Sequence, residues 1–216
     1  MNLKTGTLTH HATLVGDILL TGVEGQSKED YDFALNCTYI AKKEADKQYN
    51  SNTQPGPWID YFADLLYSYF WKKDEMDIEY VQPNFSGTVG EVWMKLARPW
   101  LSPEQVSGVN SGLSSLEAEV DLLKTIRGLS GKAFDFKLIP VSYNANGDME
   151  LVITNVRFIK STLTTSYLFW KVHQPMSQLD IRARRVSMSR RAIEVRRPLV
   201  EKAIKEMSFD FAHYEI

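Results

Sequence analysis

Ala133-Phe134-Asp135-Phe136-Lys137-Leu138, then Asn146-Gly147, then the run from Met149 to Phe158, is the stretch that decides the fold class. Phe134, Phe136 and Leu138 alternate with Asp135 and Lys137, which is the period of a strand rather than a helix. Asn-Gly between two such runs is a strong hairpin signal, because both central residues tolerate positive φ. Tyr167 to His173 reads as a third strand and Leu179 to Met188 as a fourth. The second half of the chain therefore reads as an antiparallel β-meander over about 133–188. It is followed by a C-terminal helix over about 198–207, with Leu199, Ala203 and Ile204 facing inward.

Outward from the meander, the first half is largely helical. Residues 7–23 mix Thr, Leu, Val and Ile with Gly16 and Gly22, which suits one or two strands. Ser27 reads as an N-cap, with Glu29 and Asp30 at the positive end of a helix reaching about Gln48. Pro57 opens a second helix on which Trp58, Tyr61, Phe62, Leu65, Leu66, Tyr69 and Phe70 recur at spacings of three and four, and Lys72 and Lys73 close it. These form a helical hairpin over about 27–72, whose aromatic stripe is expected to pack on the sheet. An acidic turn at Asp74, Glu75, Asp77 and Glu79 leads into a short strand around Ile78 to Val81, and Gly87 to Leu96 fits a strand better than a helix. Ser102 with Gln105 three residues on is a capping box. The helix it opens is expected to loosen at Asn110-Ser111-Gly112, resume through Leu113, Leu116, Val120, Leu123 and Ile126, and stop at Gly128 and Gly131. Hairpins with segregated helices indicate an α+β domain over 1–216, an antiparallel sheet packed against amphipathic helices. This order of elements is similar to that of small cytolytic, membrane-active toxins of the Cyt type. The similarity lies in element order, and it implies a pore-forming or membrane-active alternative without carrying any residue over.

Composition sets the boundaries. The chain has 216 residues, is 44% hydrophobic and 24% charged, and has a formal net charge of −2, which suits an ordinary globular core and excludes a polycation. A single cysteine, Cys37, excludes an intramolecular disulfide and any CxxC metal or redox motif. The N-terminus has no continuous apolar segment of signal-peptide type, and no eighteen-residue apolar run occurs. A cytoplasmic location is the resulting expectation.

One charge feature rises above this background. Residues 181–205 hold Arg182, Arg184, Arg185, Arg190, Arg191, Arg196, Arg197, Lys202 and Lys205 against Glu194 and Glu201, or +7, so the rest of the chain carries −9. Seven of the ten arginines lie in this segment. The guanidinium fork suits phosphate, and phosphate neutralisation gives salt-sensitive binding. Nucleic acid or another anionic polymer is one partner class, an anionic membrane a second, and self-association a third. A solvated face whose arginines pair with Asp74, Glu75, Asp77 and Glu79 is the plain alternative. If the segment is a strand, Arg182 and Arg184 share one face, and Ile181 and Ala183 the other.

Signatures of catalysis are missing. His10 and His11 are adjacent and so point apart on a strand, His173 and His213 are isolated, and no HExxH or GxSxG occurs. Gly128-Leu129-Ser130-Gly131-Lys132-Ala133 lacks the first glycine and the final Ser or Thr of a phosphate loop. Asp60 and Asp64, four apart, lie off the aromatic stripe, and the acidic turn lacks EF-hand spacing. No cofactor, metal or catalytic residue is read from the sequence. The reading is a non-enzymatic binding or assembly protein that uses the Arg-rich segment, within a homo-oligomer in its assembly form. The alternatives are a membrane-active protein and an enzyme whose motif a single sequence does not reveal.

Overall fold

The computed structural model describes residues 11–51, 53–69, 72–83, 86–118, 133–159, 172–173, 178–207 and 213–215. Strands β1 (Ala12–Val15) and β2 (Ile18–Thr21) form a tight hairpin. Helices α1 (Lys28–Gln48) and α2 (Pro55–Ser68) follow as the expected hairpin. Next come β3 (Lys72–Pro83), β4 (Ser86–Gly87), α3 (Val89–Ala97), a 3-10 turn at Arg98–Trp100 and α4 (Pro103–Ala118). The chain ends with β5 (Ala133–Tyr143), β6 (Met149–Ile159), β7 (Val172–His173), β8 (Gln178–Met188), α5 (Arg190–Glu206) and β9 (His213–Glu215).

The fold class is α+β, as the strand and helix periods indicated. Seven strands form one sheet in the order β3-β8-β6-β5-β2-β1-β9. All neighbours are antiparallel except β2 and β5, which run parallel. The β5–β6 hairpin closes at Asn144–Asp148 with Gly147 at φ +77°, and it registers Tyr143 opposite Met149. β8 lies beside β6 and completes the meander. β7 pairs with β4 outside the main sheet. Residues 167–171 of the expected third strand, and 119–126 of the expected helix with its stop at Gly128 and Gly131, lie outside the described residues.

Helices cover both faces of the sheet. Strand side chains alternate, so β6 sends Leu151 and Ile153 to one face and Val152 and Val156 to the other. The first face packs on α1, α2 and α5 through Phe33, Ile40, Trp58, Phe62, Leu66, Ile193 and Val200. The second packs on α3 and α4 through Trp93, Ala97, Val109 and Leu116. The aromatic stripe of α2 is buried at Trp58, Phe62 and Leu66 and half-buried at Tyr61 and Leu65.

Four local expectations are corrected. Gly87 to Leu96 is not a strand, because Thr88 Oγ1 accepts the Glu91 N–H at 3.2 Å and caps α3. Val92, Met94 and Leu96 mimic a two-residue period, while the fully buried pair is Trp93 and Ala97, four apart. Lys72 and Lys73 do not close α2 but begin β3, so the acidic residues 74–79 lie within a long strand rather than a turn. The C-terminal helix starts eight residues before Pro198, where Ser189 Oγ accepts the Ala192 N–H at 3.3 Å. Finally, α4 runs unbroken through Asn110-Ser111-Gly112. Its glycines serve close approach: a Cβ on Gly108 would meet the Gly22 carbonyl oxygen at 2.5 Å, and one on Gly112 the Thr21 methyl at 2.8 Å. Gly108→Ala is therefore expected to destabilise the protein by about 2 kcal/mol through overpacking, despite the better helix propensity of alanine. An unchanged urea midpoint would show that α4 does not rest on Gly22.

Candidate functional site

The Arg-rich segment does not form one patch, because β8 alternates and α5 rotates its side chains. On β8, Arg182 and Arg184 share the face toward α2, with Ile181 and Ala183 on the other. Arg184 donates to Asp60 Oδ1 of α2 at 2.5 Å. Arg185 points the opposite way, donates to the Trp100 carbonyl at 2.6 Å and lies over the indole at 5.9 Å. Arg197 of α5 donates to the Glu29 carbonyl and to Asp30 Oδ1 of α1, the latter at 2.6 Å, and covers the Phe33 ring at 5.7 Å. Arg196 is half-buried, whereas Arg182, Arg190 and Arg191 are exposed. Arg190 has Glu194 at 3.8 Å, one turn on. The acidic strand β3 places Asp77 opposite Arg184 and Glu79 opposite Arg182 in register.

Arg197 belongs to a three-part tie. Asp30 accepts from Arg197, from the Tyr143 hydroxyl at 2.6 Å and, through its own N–H, is anchored to Ser27 Oγ. Burial pushes the Asp30 carboxyl up, but the Tyr143 and Arg197 hydrogen bonds and the Arg197 charge outweigh it and hold the group below its ordinary value. Burial and the Asp30 carboxylate push the Tyr143 hydroxyl up to about 12. The tie joins α5, α1 and β5, which makes Arg197 a fastening residue.

Among the described residues, one charge cluster is concealed by the linear sequence. Asp17 in the β1–β2 turn accepts from Lys137 of β5 and has Lys42 of α1 at 3.8 Å. Lys42 also binds Asp46 Oδ2 at 2.7 Å, and the Trp58 indole N–H donates to Asp46 Oδ1 at 2.8 Å. The Lys137 ammonium sits 4.7 Å and the Lys42 ammonium 5.7 Å from the Trp58 ring, which stacks on Phe62. Burial raises the Asp17 carboxyl, but the Lys137 and Lys42 charges and the Lys137 hydrogen bond overcome that and leave it lowered. Lys137 is only 1% exposed, so it forms with Asp17 a paired internal charge, while Asp46 lies at the exposed rim of the cluster.

The cluster continues across the sheet. In register, Lys137 faces Asn155, Asn155 faces Arg182, and the next pair is Arg157 with Asp180. This polar end of the α2-facing surface lies below the N-terminus of α2. A cavity of about 50 Å³ there is lined by Pro55, Gly56, Ile59, Asn155, Arg157, Asp180 and Arg182. Asn155 is buried with its Oδ1 unpartnered, as is Arg157 Nε. Sequence reasoning singled out Arg182 alone of this group. Asn155 and Arg157, alternating with the apolar Val156 and Phe158, were the available signal.

The remaining sequence candidates resolve simply. Cys37 is fully buried, and burial pushes its thiol well above the ordinary value, which leaves it protonated and inert. Asp60 holds Arg184 and Asp64 is exposed. His10, Gly128 to Lys132 and the side chains of His173, His213, Asp74, Glu75, Asp77 and Glu79 lie outside what is described. Among the described residues, no three His, Cys, Asp or Glu side chains gather as a metal site, and no helix is long and apolar enough to cross a membrane.

No protein-family model and no curated protein matches the chain. The chain is similar to a solved structure described as the Evf virulence factor, with a TM-score of 0.38 and 10% identity over 89% of this chain and 80% of that one. A likeness at that level carries no argument about fold or function.

Proposed function

We propose that the protein is a non-enzymatic binding protein that engages nucleic acid, or a comparable anionic polymer, through the solvent-facing cations of its Arg-rich segment. The observation that carries this reading is the start of α5. Arg190 and Arg191 occupy its first turn, both are exposed, and no acidic residue accompanies them there. Cations at that position add to the positive helix end instead of offsetting it, which favours a phosphate. Arg184, Arg185 and Arg197 fasten the segment to the body, while Lys202 and Lys205 extend the exposed cations along α5. Contacts of this kind recognise the phosphate backbone and carry no base specificity.

Fluorescence anisotropy with labelled single-stranded and duplex oligonucleotides, read from about 50 to 200 mM salt, tests the reading. Binding is expected to weaken steeply with salt. Arg190→Glu with Arg191→Glu is expected to cost about tenfold or more in affinity and to reduce the logarithmic salt slope by about 2. Unchanged affinity in a folded double variant sinks the proposal. Val195 and Leu199, 65% and 55% exposed beside these cations, support a second reading, contact with an anionic membrane or with another copy of the chain. Vesicles of anionic lipid and a particle-mass measurement, run beside the oligonucleotides, separate these from the polymer.

A further inference from the structure

We infer that the cavity beneath the N-terminus of α2 is a binding site for a small protonated oxyanion, namely hydrogenphosphate. It shares Arg182 with the polymer reading but does not rest on it.

Four observations converge. First, α2 begins with its positive end uncapped. The Gln54 side chain accepts from the Asn50 N–H and does not cap the helix, and the first turn has no acidic residue. Pro55 and Pro57 have no N–H, so Gly56 supplies the donor of that turn at the cavity wall. Second, two guanidinium groups line the cavity, those of Arg157 and Arg182. The Arg157 Nε is shielded from solvent and has no partner. Third, Asn155 is only 5% exposed, lines the same cavity and leaves its Oδ1 unpartnered. A buried polar atom without a partner is costly, so its presence points to something that satisfies it. Fourth, the cavity of about 50 Å³ has room for several water-sized positions or one compact oxyanion.

The acceptors select the protonation state. Asp180 also lines the cavity, with its Oδ1 held by Gln178 Nε2 at 2.7 Å. A carboxylate beside an anion is repulsive unless the ligand brings a proton of its own. Hydrogenphosphate has one P–OH for Asn155 Oδ1 or Asp180 and charged oxygens for Arg157, Arg182 and the Gly56 N–H. Sulfate at neutral pH has no proton to donate, so it leaves Asn155 Oδ1 unsatisfied and faces the Asp180 carboxylate without a bridging proton.

Isothermal titration of the full chain with inorganic phosphate, and separately with sulfate, tests the site. One phosphate per chain is expected, with sulfate at least about tenfold weaker. Saturating phosphate is expected to raise Tm by about 5 °C through linkage. Arg157→Gln and, separately, the exposed Arg182→Gln are each expected to weaken phosphate at least about tenfold. Because Arg182 is exposed, its variant keeps the test valid if Arg157→Gln fails to fold. The Arg190→Glu, Arg191→Glu double variant is expected to retain phosphate binding even where it loses oligonucleotide binding. Absence of saturable phosphate binding up to ~10 mM overturns the proposal, as does phosphate affinity unchanged in both arginine variants. Equal affinity for sulfate overturns the selection of a protonated ligand by Asn155 and Asp180.

Discussion

Asp17→Ala is expected to lower the unfolding free energy at pH 7 by about 3–5 kcal/mol, one of the largest effects of any single substitution here. The variant leaves the Lys137 ammonium, which is 1% exposed, without the carboxylate that holds it. Lys42 still has Asp46 at 2.7 Å, so the cost falls mainly on Lys137. Adding Lys137→Met to Asp17→Ala is expected to recover at least about 1 kcal/mol relative to Asp17→Ala alone, because an apolar side chain under Trp58 needs no partner. The effect also has a definite pH sign. The folded Asp17 pKa lies below the ordinary value of 3.8, so its contribution is fully present above about pH 4. It is lost as pH falls through the folded pKa. The stability gap between parent and Asp17→Ala should therefore narrow below about pH 4, measured by urea unfolding. A loss under about 1 kcal/mol at pH 7 would show that Lys137 does not depend on Asp17 for its charge pairing.

Trp58→Ala is expected to cost about 3–5 kcal/mol, from the cavity left by a fully buried indole and from the lost cover over Lys137. Trp58→Phe is expected to cost less, about 1–2 kcal/mol. It keeps an aromatic plane against Phe62 but removes the N–H that donates to Asp46 at 2.8 Å. The ordering of the two variants is the diagnostic result. Equal losses would mean that the indole N–H dominates, and a small loss for alanine would mean that α2 settles onto the sheet without it. Trp58 lies two residues beyond Gly56, so the same indole holds the α2 N-terminus over Asn155 and Arg157. Packing thus positions the proposed oxyanion site.

The linear order of residues determined much of this molecule. Alternation in Phe134 to Leu138 and the Asn146-Gly147 turn define the β5–β6 hairpin, since a two-residue period fits only a pleated strand. Ser27 and the Ser102–Gln105 capping box mark the true starts of α1 and α4, because capping is satisfied within four residues of chain. Errors arose where a second local pattern competed. Val92, Met94 and Leu96 alternate by coincidence inside α3, and Pro198 resembles a helix start although Ser189 supplies one earlier.

The tertiary structure alone decided which charges are internal. Asp17 and Lys137 are 120 residues apart in sequence, and no local rule joins them. Lys137 reads as the solvent side of an alternating strand, because alternation shows that faces differ and not that both are covered. The second layer of helices, α3 and α4 opposite α1, α2 and α5, turns both faces inward. Burial then makes each polar side chain require a partner. The same geometry divides the arginines, since alternation on β8 and rotation along α5 send Arg184, Arg185 and Arg197 to three different elements. Net charge is a sum over sequence and has no direction; the fold gives Arg184, Arg185 and Arg197 their neighbours.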